Sequence, residues 1–216
     1  MHTHTHAQKH MDALLARYPA LETCAADIQA AFTLLLETFE GGGKLLVCGN
    51  GGSAADSEHI VGELMKGFLL KRKLDDAARK QIASAAGDDA DYINDNLQGG
   101  LPAISLVSHS ALSTAFSNDV APDMVFAQQV YGYAKPNDVL IGISTSGHSK
   151  NVSYAVKVAN ALGAHTIALT GAQGNEVAAA SDVAIRVPSD ETPAVQEYHL
   201  PVYHALCAMV EAVLFE

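Results

Sequence analysis

Twice in this chain a short apolar run stops at a loop of glycine and hydroxyl residues and hands over to a helical pattern. The first case is "KLLVCGNGGSAADSEHIVGEL" and the second is "DVLIGISTSGHSKNVSYAVKVANALG". An uninterrupted apolar run of strand length fits a strand buried on both faces, and the spacing that follows fits an amphipathic helix. Strand–loop–helix units of this kind build parallel sheets, because a parallel return needs a crossover. Three further apolar runs, "LPAISLV", "HTIALTG" and "DVAIRV", bring the strand count to five. The expected fold is α/β, a three-layer αβα sandwich around a five-stranded parallel sheet.

The remaining segments read as helices around that sheet. A chain of 216 residues is one ordinary α/β domain. Residues from about 7 to 40 carry helical periodicity, broken near Pro19, so two N-terminal helices are expected. Ser53 reads as the N-cap of the helix after the first glycine loop. Residues from about 70 to 100 are polar and charged, with two short helical patterns, and read as an exposed insertion. The chain closes on a long apolar helix, with Thr192 as its N-cap and Pro193 as its first residue. His2, His4, His6 and His10 could chelate a metal, but a solvated, frayed end or an expression remnant is the simpler reading.

Charge and cysteines exclude several partners. Twenty-four acidic against 13 basic residues give a formal charge of −11, and no Lys/Arg block interrupts it. Nucleic acid and membrane surfaces are therefore not expected partners. An anionic substrate would need a locally built site. Cys24, Cys48 and Cys207 match no zinc module and no CxxC pair, so free thiols in a reducing compartment are expected. With no secretory or membrane-spanning run, the cytoplasm is the expected location.

The loops carry the chemistry. Ligands of open α/β folds bind beyond the carboxyl ends of the strands, and a helix N-terminus there attracts anions. Ser144, Thr145, Ser146 and Ser149 add small donors, and Gly147 permits close approach, so "STSGHS" reads as a phosphate cradle. The plain alternative is a polar turn with an N-cap. The other loop is neither G-x-G-x-x-G nor a Walker A motif. Asn50, Gly51 and Gly52 could hold hydroxyls of an extended ligand, or simply turn the chain. On the helix that follows, His59 and Glu63 stand at i and i+4 and share a face. On the last helix Gln196 precedes His199 and His204, and spacing does not choose between those two histidines. His109 and His165 read as structural or surface residues.

"GNGGSAADSEH" and "GISTSGHSKNV" together resemble the sugar isomerase (SIS) fold family, and within it the sedoheptulose 7-phosphate, or phosphoheptose, isomerases. The motif order matches from about Gly43 to the C-terminus, including "SND", "LTG" and "TPAVQEYHLPVYH". The resemblance implies a single, flavodoxin-like SIS domain over residues 1–216 and a homotetramer. It implies a sugar-phosphate substrate and an aldose–ketose isomerisation through an enediol. It assigns Glu63 as carbon base and His204, rather than His199, as the oxygen-side acid–base. One zinc ion is implied, held by His59, Glu63, Gln196 and His204, a plausible donor set for that metal. Ser144, Thr145, Ser146 and Ser149 match the phosphate cradle. Asn50, Gly51, Gly52, Ser53, Asn118, Asp119 and Gln196 match substrate contacts.

The chain departs from the family in two places. "ELMKGFLL" lacks the arginine of the usual Gly-Arg-aromatic run, which leaves open whether Lys66 stands in for it. The segment at about 70–100 is absent from the shorter members. Two other functions compete. One is a non-catalytic SIS module that senses sugar phosphates or binds a replication initiator. The other is an isomerase of a different ketose phosphate. Glu63, Gln196 and His204 occurring together favour the enzyme, and no helix-turn-helix segment is evident.

Overall fold

The computed structural model of the chain describes residues 2–215. Five strands, β1 (Leu45–Gly49), β2 (Ala103–Ser105), β3 (Val139–Ser144), β4 (His165–Thr170) and β5 (Val183–Arg186), form one all-parallel sheet in the order β2-β1-β3-β4-β5. The helices are α1 (His2–Arg17), α2 (Ala25–Glu40), α3 (Gly52–Met65), α4 (Asp76–Ala86), α5 (Ala90–Asn96), α6 (Ser110–Asp119), α7 (Val125–Tyr133), α8 (Lys150–Ala161), α9 (Glu176–Ala180) and α10 (Thr192–Phe215).

Period-two alternation sends the strand side chains into two separate cores. Leu45, Val47, Ile141, Ile143 and Ile167 pack with α2, α3 and α10. Leu46, Cys48, Leu140 and Ala168 pack with α7, α8 and α9 on the opposite face. Both faces are thus covered, as the uninterrupted apolar runs require. α10 is long and apolar enough to cross a membrane, yet it runs through the first core against α1, α2 and α3, as the core helix of a soluble domain does. The three cysteines are buried and unpaired.

Several local expectations need correction. The N-terminus is not frayed, because α1 starts at His2 and buries Ala7, Met11 and Leu14 along α10. The chelation reading of His2 and His4 rests on side chains outside the described residues. The N-cap of α3 is Gly51, at φ +58°, and Ser53 lies inside the helix, 3% exposed. Thr192 is the first residue of α10 rather than its cap, a one-residue shift. The short helix α9, capped by the Asn175 side chain, has too few residues to show a period in the sequence.

His199 is fully enclosed on α10, and burial pushes its imidazole down to about 4. Between that value and the ordinary 6.5, the unfolded chain binds a proton that the folded chain refuses. Stability from this residue is therefore intact above pH 6.5 and falls as the pH drops toward 4, by roughly 3 kcal/mol across that window. Urea unfolding from pH 7.5 to 4 should show this slope, and His199→Met should flatten it. An unchanged slope in the variant would assign the acid sensitivity elsewhere.

Candidate active site

The strand order reverses between β1 and β3, so the loops after these two strands lie side by side at the carboxyl edge of the sheet. The side chains of Asn50 and Asn151 join them through two reciprocal amide bonds of 2.9 Å. In the β3 loop the Gly147 N–H donates to the Ser144 Oγ at 3.1 Å, and the Ser144 hydroxyl donates to the Ser149 Oγ at 3.1 Å. Gly147 holds φ +67° with Asn175 packed where a Cβ would sit, so only glycine fits. Ser144 and Ser149 thus shape the loop. Thr145 and Ser146 line a cavity of about 160 Å³ with His148, Gly171, Gln173 and Asp190.

The α3 and α10 helices run beside each other from the β1 loop outward. At their first turns a Cβ on Gly52 would stand 2.4 Å from the Gln196 Nε2, so the amide rests directly on the glycine loop. Two turns along, a chain of polar side chains crosses between the helices. The Tyr203 hydroxyl donates to the Asp56 Oδ1 at 3.2 Å and lies 3.0 Å from the His59 Nδ1. His59 Nε2 lies 3.1 Å from the Glu63 Oε1, and the Lys66 Nζ donates to the Glu63 Oε2 at 2.8 Å. The His204 ring stands edge-on to that of His59, with centroids 4.9 Å apart, and its Nε2 is buried without a protein partner. Of the two histidines that spacing left open, His204 faces this group while His199 is buried in the core.

Burial raises the Glu63 carboxyl, but the bonds from Lys66 and His59 outweigh it and hold the group below the ordinary carboxylate range. Burial lowers the His204 imidazole, and the neighbouring His59 adds to the effect. Asp56 is raised, chiefly by burial. The group therefore offers an ionised carboxylate beside a neutral imidazole.

A buried ion pair fixes the segment that closes this end. The side chains of Arg72 and Glu211 are 0% and 1% exposed, with Nε and Oε1 2.7 Å apart. Glu211 also accepts the backbone N–H groups of Phe68, Leu69 and Leu70, at 2.8, 2.7 and 3.1 Å. Arg72 caps the end of α3 through the carbonyls of Leu64 and Glu63, at 2.6 and 3.0 Å. The result seats Phe68 against His204, ring centroids 5.5 Å apart.

Other expected residues are placed differently. Ser53 is enclosed at the start of α3, its N–H donating to the Asn50 carbonyl. Asn118 and Asp119 are exposed at the end of α6, where the Asn118 amide donates to the Asp119 carboxylate at 2.8 Å. Of the four expected zinc ligands, His59, Glu63 and His204 are neighbours, while Gln196 rests on Gly52. The donor types suit zinc. Among the described residues, no three His, Cys, Asp or Glu of the single chain form a group that could hold an ion. Residues that sequence reasoning missed are Asp56, Arg72, Asn151, Tyr203 and Glu211.

Comparison with known proteins bears directly on this geometry. Two family models, both described as SIS domain, match residues 109–214 and 9–91. The phosphoheptose isomerase of Geotalea daltonii is 42% identical over 188 residues, covering 87% of this chain and 84% of the relative. A phosphoheptose isomerase of Helicobacter pylori is 41% identical over 201 residues, covering 91% of each. The solved phosphoheptose isomerase of Neisseria gonorrhoeae superimposes with a TM-score of 0.73 at 33% identity, covering 94% of both chains.

Replacing Arg72 by Met leaves the Glu211 charge enclosed without its partner. The expected loss of stability is about 3–5 kcal/mol, read from the urea midpoint. A loss below about 1 kcal/mol, the range of an exposed pair, would contradict the burial described above.

Proposed function

The chain belongs to the SIS domain family and, within it, to the phosphoheptose isomerases, and we propose that it converts sedoheptulose 7-phosphate to a D-glycero-D-manno-heptose 7-phosphate through an enediol. The observation that carries this reading is the grouping of Glu63 and His204 about His59, between α3 and α10, in a chain that also carries the hydroxyl loop at the carboxyl edge of its sheet. An aldose–ketose isomerase needs an ionised base for a carbon-bound proton and a group that moves protons between two oxygens.

Each of these residues suits its step. Glu63 takes the proton from C1 of the ketose and returns it to C2. Its other oxygen stays anchored by Lys66, which limits its motion during transfer. A neutral His204 has one donor and one acceptor nitrogen, so it can give a proton to the C2 oxygen and take one from the C1 oxygen. Tyr203 and Asp56 hold the His59 ring in place beside both. Thr145 and Ser146, at the α8 N-terminus, receive the phosphate. Lys66, in the run that lacks the usual arginine, binds the base itself. Zinc, implied by the resemblance, carries no step in this scheme.

The wider setting belongs to the same proposal. The enzyme works as a homotetramer in the cytoplasm. Exposed Leu69 and Leu200 border an apolar cleft of about 490 Å³ that reaches His204, which supports coverage of this end by another copy. Three buried, unpaired thiols suit a reducing compartment.

Proton NMR of sedoheptulose 7-phosphate in heavy water provides the test. The wild-type protein should incorporate deuterium at the carbon next to the carbonyl and produce an aldose signal. Glu63→Gln should fold normally and lose about 10²–10⁴-fold in exchange. Wild-type exchange in the variant would remove Glu63 from the mechanism. Binding without exchange in the wild type would favour a different ketose phosphate or a non-catalytic role.

A further inference from the structure

We propose that His148 is the cation of the phosphate pocket and that its protonated form grips the phosphoryl dianion. The inference rests on the phosphate reading of the β3 loop and adds a charge that the hydroxyls cannot supply. A phosphate monoester carries a charge of about −1.5 to −2 near neutrality. The cavity lined by Thr145, Ser146, His148, Gly171, Gln173 and Asp190 contains no lysine or arginine. Its hydroxyls are neutral, and the α8 N-terminus offers roughly half a positive charge. Asp190 works against the ligand, although its carboxylate is partly engaged by the Gln173 N–H at 3.1 Å. Among the lining residues, His148 alone can become positive.

The surroundings favour this role. The loop is rigid at this point, since Gly147 is locked against Asn175 and the His148 N–H donates to the Ser146 Oγ at 3.3 Å. The imidazole is exposed rather than committed to the core. The charged groups around it are Asp190 before α10, Glu176 on α9 and Lys150 at the start of α8. Glu176 is paired with Lys157 of α8, which leaves Asp190 as the acidic group facing the pocket. A charged imidazole gives a phosphoryl oxygen a charge-assisted hydrogen bond that a neutral hydroxyl does not. By linkage, an anion that prefers the charged ring binds more tightly as the pH falls.

Calorimetric titration with sulfate and inorganic phosphate, from pH 5.5 to 8.5, tests the inference. Sulfate keeps its charge over this range, so its pH dependence reports the protein alone. Wild-type affinity for sulfate should fall roughly tenfold from the lowest to the highest pH, the scale of one charge-assisted hydrogen bond. His148→Asn should bind weakly at every pH. His148→Lys should restore tight binding and hold it across the range. Equal, pH-independent sulfate binding by the wild type and His148→Asn would overturn the role of His148 and leave the phosphate pocket standing. Failure of the wild type to bind either anion would overturn both.

Discussion

Parallel strand pairing is the constraint on which the rest of this structure depends. Parallel strands end on a common edge, and each return requires a crossover helix that starts from that edge. The five strands therefore deliver their loops, and the N-termini of the helices that follow, to one rim. The order β2-β1-β3-β4-β5 then opens a gap in the helical cover between β1 and β3. The two loops richest in glycine and hydroxyls fall on either side of that gap, and the Asn50–Asn151 pair binds them into one platform. Neither loop needs unusual chemistry. Topology places them.

The second constraint is the Arg72–Glu211 pair. A buried ion pair is a poor source of stability, because desolvation offsets its attraction. Here its geometry has another consequence. One carboxylate gathers three successive N–H groups of a bent segment, while the guanidinium takes two carbonyls from the end of α3. Backbone groups at the end of α3 and in the segment after it are thereby satisfied together. The segment that follows α3 is consequently fixed beside His204 instead of being free to wander. A hydrophobic pair of the same volume could fill the space but could not make those five bonds.

Much of this was legible in the sequence because it depends on periodicity and on turn residues. Short apolar runs gave all five strands, and "GNGGS" and "STSGHS" located the loops. The residues that escaped are those whose significance depends on a distant partner. Arg72 sits in a stretch of lysines and acids that reads as a solvated surface, and nothing local reveals that Glu211 lies opposite, 139 positions later. Tyr203 and Asp56 likewise matter only because α3 and α10 run side by side. Gln196 and His204 were joined in one ligand set by the resemblance alone, and on α10 two helical turns separate them by about 12 Å along the axis. Ser53 was misread because serine is a good N-cap, while the backbone at Gly51 demands positive φ and moves the cap two residues back.

How does a chain with a formal charge of −11 receive an anion? At physiological salt, charges farther than about 8 Å are largely screened, so the local surroundings decide. The two ends of the site differ in the required sense. Glu63 and Asp56 lie together on α3, within reach of His59, Tyr203 and Lys66, where a base must be kept ionised. The β3 loop offers hydroxyls, a helix N-terminus and the imidazole of His148 against a single carboxylate, that of Asp190. A substrate lying the other way round would bring its phosphate against Glu63, an unfavourable meeting of like charges in a partly desolvated space. On the proposed roles, the separation of the acidic pair from the hydroxyl loop would also orient the sugar, so that the carbon to be deprotonated, and not the phosphate, reaches the base.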